Sequence, residues 1–73
     1  MKVLFAQNID GRFQKVGVYH VRKDGTVSLP SKFNGQIEGR FIRDGARHLA
    51  EESGVNWIEF QFGSSPTYRV SMA

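Results

Sequence analysis

The chain has no cysteine, only two prolines and one tryptophan among its 73 residues. Without thiols it can build neither a disulfide framework nor a zinc knuckle or ribbon. Long apolar runs are also missing, and a membrane-spanning helix needs about 20 consecutive apolar residues. The opening Met1-Lys2-Val3-Leu4-Phe5-Ala6 is cut off by Gln7, Asn8 and Asp10. That is short of the roughly 7–15 apolar residues and small-residue cleavage site of a signal peptide. The expectation is a cytoplasmic chain that makes no membrane contact.

Catalytic motifs are equally scarce. The sequence has no GxGxxG, Walker A loop, HExxH, GxSxG or CxxC. Its whole supply of imidazole is His20, on an expected strand, and His48, on an expected helix. His48 and Glu52 stand at i and i+4 and offer two metal ligands, but no third donor is placed beside them, so a surface helix pair is the better reading. Glu51 and Glu52 diverge by about 100° on a helix and cannot act as a facing carboxylate pair. Ser64-Ser65 lies in a turn with no base near it. The expectation is a non-enzymatic chain with no cofactor and no metal.

What is present describes one small globular domain over residues 1–73, with 40% hydrophobic and 23% charged residues. A chain this short buries only about 60% of the surface its unfolded form exposes. Small unstapled domains often gain stability by dimerising or docking on a partner. The net charge of +3 arises from 10 basic and 7 acidic residues that are interspersed rather than blocked. It permits nucleic-acid binding without requiring it.

Four Asx-Gly pairs punctuate the chain: Asp10-Gly11, Asp24-Gly25, Asn34-Gly35 and Asp44-Gly45. Such pairs suit tight turns because both residues tolerate positive φ. Between them the sequence predicts strands at Lys2 to Gln7, Arg12 to Arg22 and Thr26 to Leu29, with Pro30 closing the third. A further arm is expected over Gln36 to Ile42. Ile37-Glu38-Gly39-Arg40, within it, matches the processing tetrapeptide of a clotting protease and would be a nicking site if it were an exposed loop.

A helix is expected from about Gly45 to Ser53, with Asp44 as N-cap, an apolar stripe of Ala46, Leu49 and Ala50, and Gly54 as the left-handed C-terminal cap. Alternation then predicts strands at Val55 to Phe62 and Thr67 to Met72 around the Gly63-Ser64-Ser65-Pro66 turn. The fold class is α+β: an antiparallel sheet of about five strands, formed by a β-meander and a C-terminal hairpin, with the single helix packed on one face.

Alternation also predicts the faces. Ile58, Phe60 and Phe62 are expected under the helix, with Trp57, Glu59 and Gln61 on the open side. If Val16 and Val18 go to the core, then Phe13, Lys15 and Tyr19 join Trp57. A face with three aromatics is too apolar to be merely wet, and exposed patches of that kind mark interaction sites. The competing reading is that a bend, bulge or loop folds over the rings as a second minor core.

Three functional expectations follow. The first is a protein-binding module, an inhibitor or adaptor, with Phe13, Tyr19 and Trp57 as anchors and Lys15, Glu59 and Gln61 around them. In general layout alone it resembles accessory proteins of phages and plasmids, and no residue motif carries that likeness. The second is nucleic-acid binding, with the same aromatics stacking on bases and phosphate contacts drawn from Arg12, Lys15, Arg22, Lys23, Arg40, Arg43 and Arg47. The third is a homodimer formed by two open faces.

Overall fold

Asp10 and Gly11 both adopt positive φ, 54° and 84°, as a two-residue type I′ hairpin turn requires. Asn8 Oδ1 accepts a hydrogen bond from Gly11 N across the turn at 3.0 Å. In the computed structural model, which describes residues 1–73, this turn joins β1 (Lys2–Ile9) to β2 (Arg12–His20). A loop with one short 3-10 turn (Ser31–Phe33) leads to α1 (Ile37–Glu51), and a second hairpin, β3 (Trp57–Phe60) and β4 (Tyr68–Met72), ends the chain. The sheet order is β2-β1-β4-β3, and all neighbours are antiparallel.

The α+β class with one helix and an antiparallel sheet is as the sequence predicts, but the sheet has four strands rather than five. Thr26 to Leu29 forms no strand and contributes only a single bridge, Val21 to Val27. Gln36 to Ile42 is not a hairpin arm either. Gln36 is the residue before α1, and Ile37 onwards is its first half. The tetrapeptide Ile37 to Arg40 is therefore helical backbone and not a loop.

The helix starts early because Asp44-Gly45 is not a turn. Asp44 does not cap the helix; it lies within it, its carboxylate 3.8 Å from Arg40 Nε and 3.1 Å from Arg47 Nη2. Gly45 serves packing. A Cβ there would lie 2.7 Å from Val70 Cβ and 2.8 Å from Val70 Cγ2, so only glycine lets α1 settle this closely on β4. Gly39 is similarly placed, where a Cβ would come within 2.9 Å of the Phe33 carbonyl oxygen. At the other end α1 stops at Glu51 with the extended Glu52 as its cap, so Gly54, although at a left-handed φ of 84°, turns the chain beyond the helix rather than capping it.

The core lies between α1 and the sheet. Ile42, Ala46 and Leu49 from the helix meet Val3, Phe5, Tyr68 and Val70 from the two central strands. Phe41 stacks on Phe60 with centroids 5.0 Å apart, and Phe5 stacks on Tyr68 at 5.1 Å. Fully burying each such side chain contributes about 1.5–3 kcal/mol. Ala50, expected in the apolar stripe, is exposed, and Phe62, expected under the helix, lies two residues past the end of β3 and is 66% exposed.

One irregularity sets the faces. The β1–β2 register runs Phe5 to Gly17 and then Ala6 to Lys15, so Val16 is an extra residue on β2. A bulge of this kind reverses the inside–outside phase of the strand beyond it. Phe13 and Lys15 face away from the helix as expected. Past the bulge Val18 takes the open side, 45% exposed, and Tyr19 turns to the helix side. There Tyr19 meets Phe33 edge-on, with centroids 5.8 Å apart. Val21 follows it into the core.

Candidate contact face on the open side of the sheet

The sheet side away from α1 has no element packed across it, and its side chains fall into rows read from the strand registers. Trp57, Ser71, Leu4 and Val18 form one row across the four strands. The next row is Glu59, Arg69, Ala6 and Lys15, and Phe13 stands beyond it beside Asn8. Rows on one face are about 7 Å apart, since every second residue of a strand points the same way.

Arg69 organises this surface. Its guanidinium carbon lies 4.0 Å from the Phe13 ring centroid and 4.8 Å from that of Trp57. Glu59 Oε1 accepts hydrogen bonds from Arg69 Nη2 at 2.7 Å and Nε at 3.3 Å. A cation between two aromatic rings is attracted by the electron-rich ring faces, and the carboxylate fixes its plane. Trp57 nevertheless remains 53% exposed and Phe13 half-buried. The rings are held in place without being covered.

The expected contact residues thus divide. Phe13, Lys15, Trp57 and Glu59 share the open face. Tyr19 does not; the bulge puts it on the helix side, where burial raises its phenol above the ordinary value. Gln61 lies just past β3 and turns into the following loop, donating from Nε2 to the Ser65 carbonyl at 3.2 Å. Arg69 was not singled out by the sequence. The available signal was alternation in the last hairpin, where Arg69 shares a face with Ser71 and pairs directly with Glu59.

The basic residues expected to meet phosphates divide as well. Lys15 stands on the open face. Arg12 is at the hairpin tip, pointing by alternation to the opposite side from Phe13. Arg22 is occupied in its own loop, donating to Thr26 Oγ1 at 3.1 Å and to Ser28 Oγ, with exposed Lys23 beside it. Arg40, Arg43 and Arg47 lie on the outer side of α1. Arg43 and Arg47 line a shallow cleft of about 240 Å³ with Asp24, Gly25, Thr26 and Asp44. Two carboxylates in that cleft offset its two guanidinium groups. Asp24 is held ionised below the ordinary carboxylate range by the Thr26 hydroxyl at 2.6 Å and amide at 3.0 Å.

His48 Nε2 and Glu52 Oε1 are 3.1 Å apart as a surface pair. No group of three or more His, Cys, Asp or Glu side chains gathers to hold a metal ion. No helix is long and apolar enough to cross a membrane.

These features define a class of architecture, a ββαββ sheet with a helix on one face and an aromatic–cationic surface on the other. No family model, curated protein or solved structure matches the chain.

Proposed function

We propose that the chain is a non-enzymatic protein-binding module, an inhibitor or adaptor, that docks through the open sheet face. One observation carries this reading: Trp57 is 53% exposed on a face where Arg69, Phe13 and Glu59 already fix its surroundings. Ordered, half-exposed aromatic and arginine side chains dominate binding energy at protein interfaces, because little conformational freedom remains to be lost on contact.

The free strand edges support the face over strand addition as the docking mode. β3 has only four residues, and β2 carries a bulge and an outward lysine, two devices that discourage edge pairing. The distribution of cations supports a protein over a nucleic acid. Arg40, Arg43 and Arg47 are on the far side of the helix from Phe13 and Trp57, so one strand of nucleic acid cannot engage both sets.

The test is a set of binding measurements with Trp57→Ala, alongside circular dichroism to verify the fold. Loss of partner capture with an intact spectrum is the expected outcome. Capture that survives the substitution assigns the contact to another surface. Sedimentation at several concentrations separates a partner protein from a second copy: concentration-dependent dimers abolished by Trp57→Ala would make the face a homodimer interface.

A further inference from the structure

The charges on the open face are unequal. Lys2, Lys15 and Arg69 project from it by alternation, while its carboxylate, Glu59, is taken up by Arg69. Lys15 and Arg69 flank the small Ala6 in one row, each paired in register with it from opposite sides. Strands are about 4.8 Å apart, which separates the two backbone positions by roughly 10 Å, but the Arg69 side chain crosses β1 to reach Phe13 and Ala6 is left only 5% exposed. Trp57, Leu4 and Val18 lie to one side of this row and Phe13 to the other.

Building on the proposed docking function, we propose that this face is specific for an acidic segment of a partner protein, in which a carboxylate lies beside an aromatic or branched aliphatic residue. The carboxylate meets the exposed Lys15 ammonium and the free Nη1 edge of Arg69 at the surface, and the apolar neighbour rests on Trp57, Leu4 and Val18. Of the five N–H donors of a guanidinium, Arg69 directs one from Nε and one from Nη2 at Glu59. Both protons of its Nη1 remain for an incoming oxygen. A single carboxylate can share Arg69 with Glu59. The guanidinium already takes one face of the Phe13 and Trp57 rings, which leaves fewer faces for a base to stack on and favours the peptide over a nucleic acid.

The experiment is selection of a displayed random-peptide library on the full chain, followed by affinity measurements on synthetic copies of the recovered peptides. The expected result is enrichment of Asp or Glu next to an apolar residue. Binding should disappear with Trp57→Ala, fall about tenfold or more with the charge reversal Lys15→Glu, and weaken as salt rises. Lys15 is exposed and outside the Arg69 cluster, so that variant tests charge without disturbing the fold. Trp57-dependent peptides that are neutral or basic, or that ignore Lys15→Glu, overturn the acidic preference and leave the docking face standing. No Trp57-dependent enrichment overturns both. Single-stranded oligonucleotides that bind in a Trp57- and Lys15-dependent way overturn the proposal in favour of phosphate.

Discussion

Arg69 and Phe13 stand on β4 and β2 with β1 between them, yet the guanidinium carbon of one lies 4.0 Å from the ring centroid of the other. The contact spans the sheet, so it clamps strands from the two hairpins that share no hydrogen bonds. Removing it should cost stability as well as order on the open face. Two partly exposed cation–π contacts contribute about 0.5–1 kcal/mol each and the Glu59 pair about 0–1. Arg69→Ala is therefore expected to lower stability in urea by about 1–3 kcal/mol and to change the emission of Trp57. Arg69→Lys should fall between, since an ammonium keeps the charge and loses the flat stacking surface. Wild-type stability and emission in Arg69→Ala would show that the rings order without the cation.

Gly45→Ala makes a sharper demand on packing. In an exposed helix interior the change gains about 1 kcal/mol of propensity. Here the new methyl would stand 2.7 Å from Val70 Cβ, and overpacking of a filled core costs about 1–3 kcal/mol. The expected result is a net loss of stability in chemical denaturation. It should shrink in the background of Val70→Ala, measured relative to that variant alone, because the methyl then has room. A Gly45→Ala protein more stable than wild type would mean that α1 shifts away from β4 at little cost.

That glycine also explains how much of the fold could be read from sequence. Asp10-Gly11 and the alternation of Trp57 to Phe60 depend on local backbone preference, and both are legible. Asp44-Gly45 has the same local chemistry as Asp10-Gly11, but Val70, distant in sequence, determines what Gly45 is for. The helix start was hidden for a related reason: Gln36 makes no side-chain cap, and glycine at 39 lowers the local helical signal. On the open face Trp57, Glu59, Phe13 and Lys15 follow from alternation. Tyr19 is misplaced by one extra residue in β2, and Arg69 becomes visible only when the last hairpin is paired in register.

The tyrosines set the alkaline limit. Burial raises both Tyr19 and Tyr68 above the ordinary phenol value, with Glu38 adding to the effect at Tyr68. Below about pH 10 both phenols are neutral folded and unfolded, and their contribution is fully present. Above it the unfolded chain ionises first, so stability falls as pH rises through the raised folded values. Phenolate absorbance should titrate late in the native protein, and Tyr68→Phe should make the alkaline loss of melting temperature shallower. An alkaline limb unchanged in Tyr68→Phe would assign that loss to other groups.

The acid side has a separate signature at Asp24. Its folded pKa is depressed by hydrogen bonds from the Thr26 hydroxyl and amide. A depressed carboxylate contributes stability above its unfolded value, and that contribution is lost as pH falls through the folded one, below about pH 4. Because Asp24 is at the surface, the effect is small. Asp24→Asn should flatten the acid limb of a melting-temperature profile and leave the alkaline limb unchanged. A variant whose acid limb matches wild type would mean the Thr26 contacts do not persist in solution.

Deletion of Val16 tests the bulge on which the face assignment depends. Removing a residue from a regular strand reverses every side chain beyond it. Val16 is the exception, because Lys15 and Gly17 are already paired with consecutive residues of β1, Ala6 and Phe5. Without Val16 the two strands can pair without interruption, leaving Lys15 outside and Tyr19 against Phe33. The deletion is expected to fold and to keep the late titration of Tyr19, losing mainly the local bend. Deletion of Val18 should be far more damaging, since it moves Tyr19 out of the core and His20 toward it. Comparable damage from the two deletions would mean that Val16 is a paired member of β2, and the faces would then have to be reassigned from that strand outward.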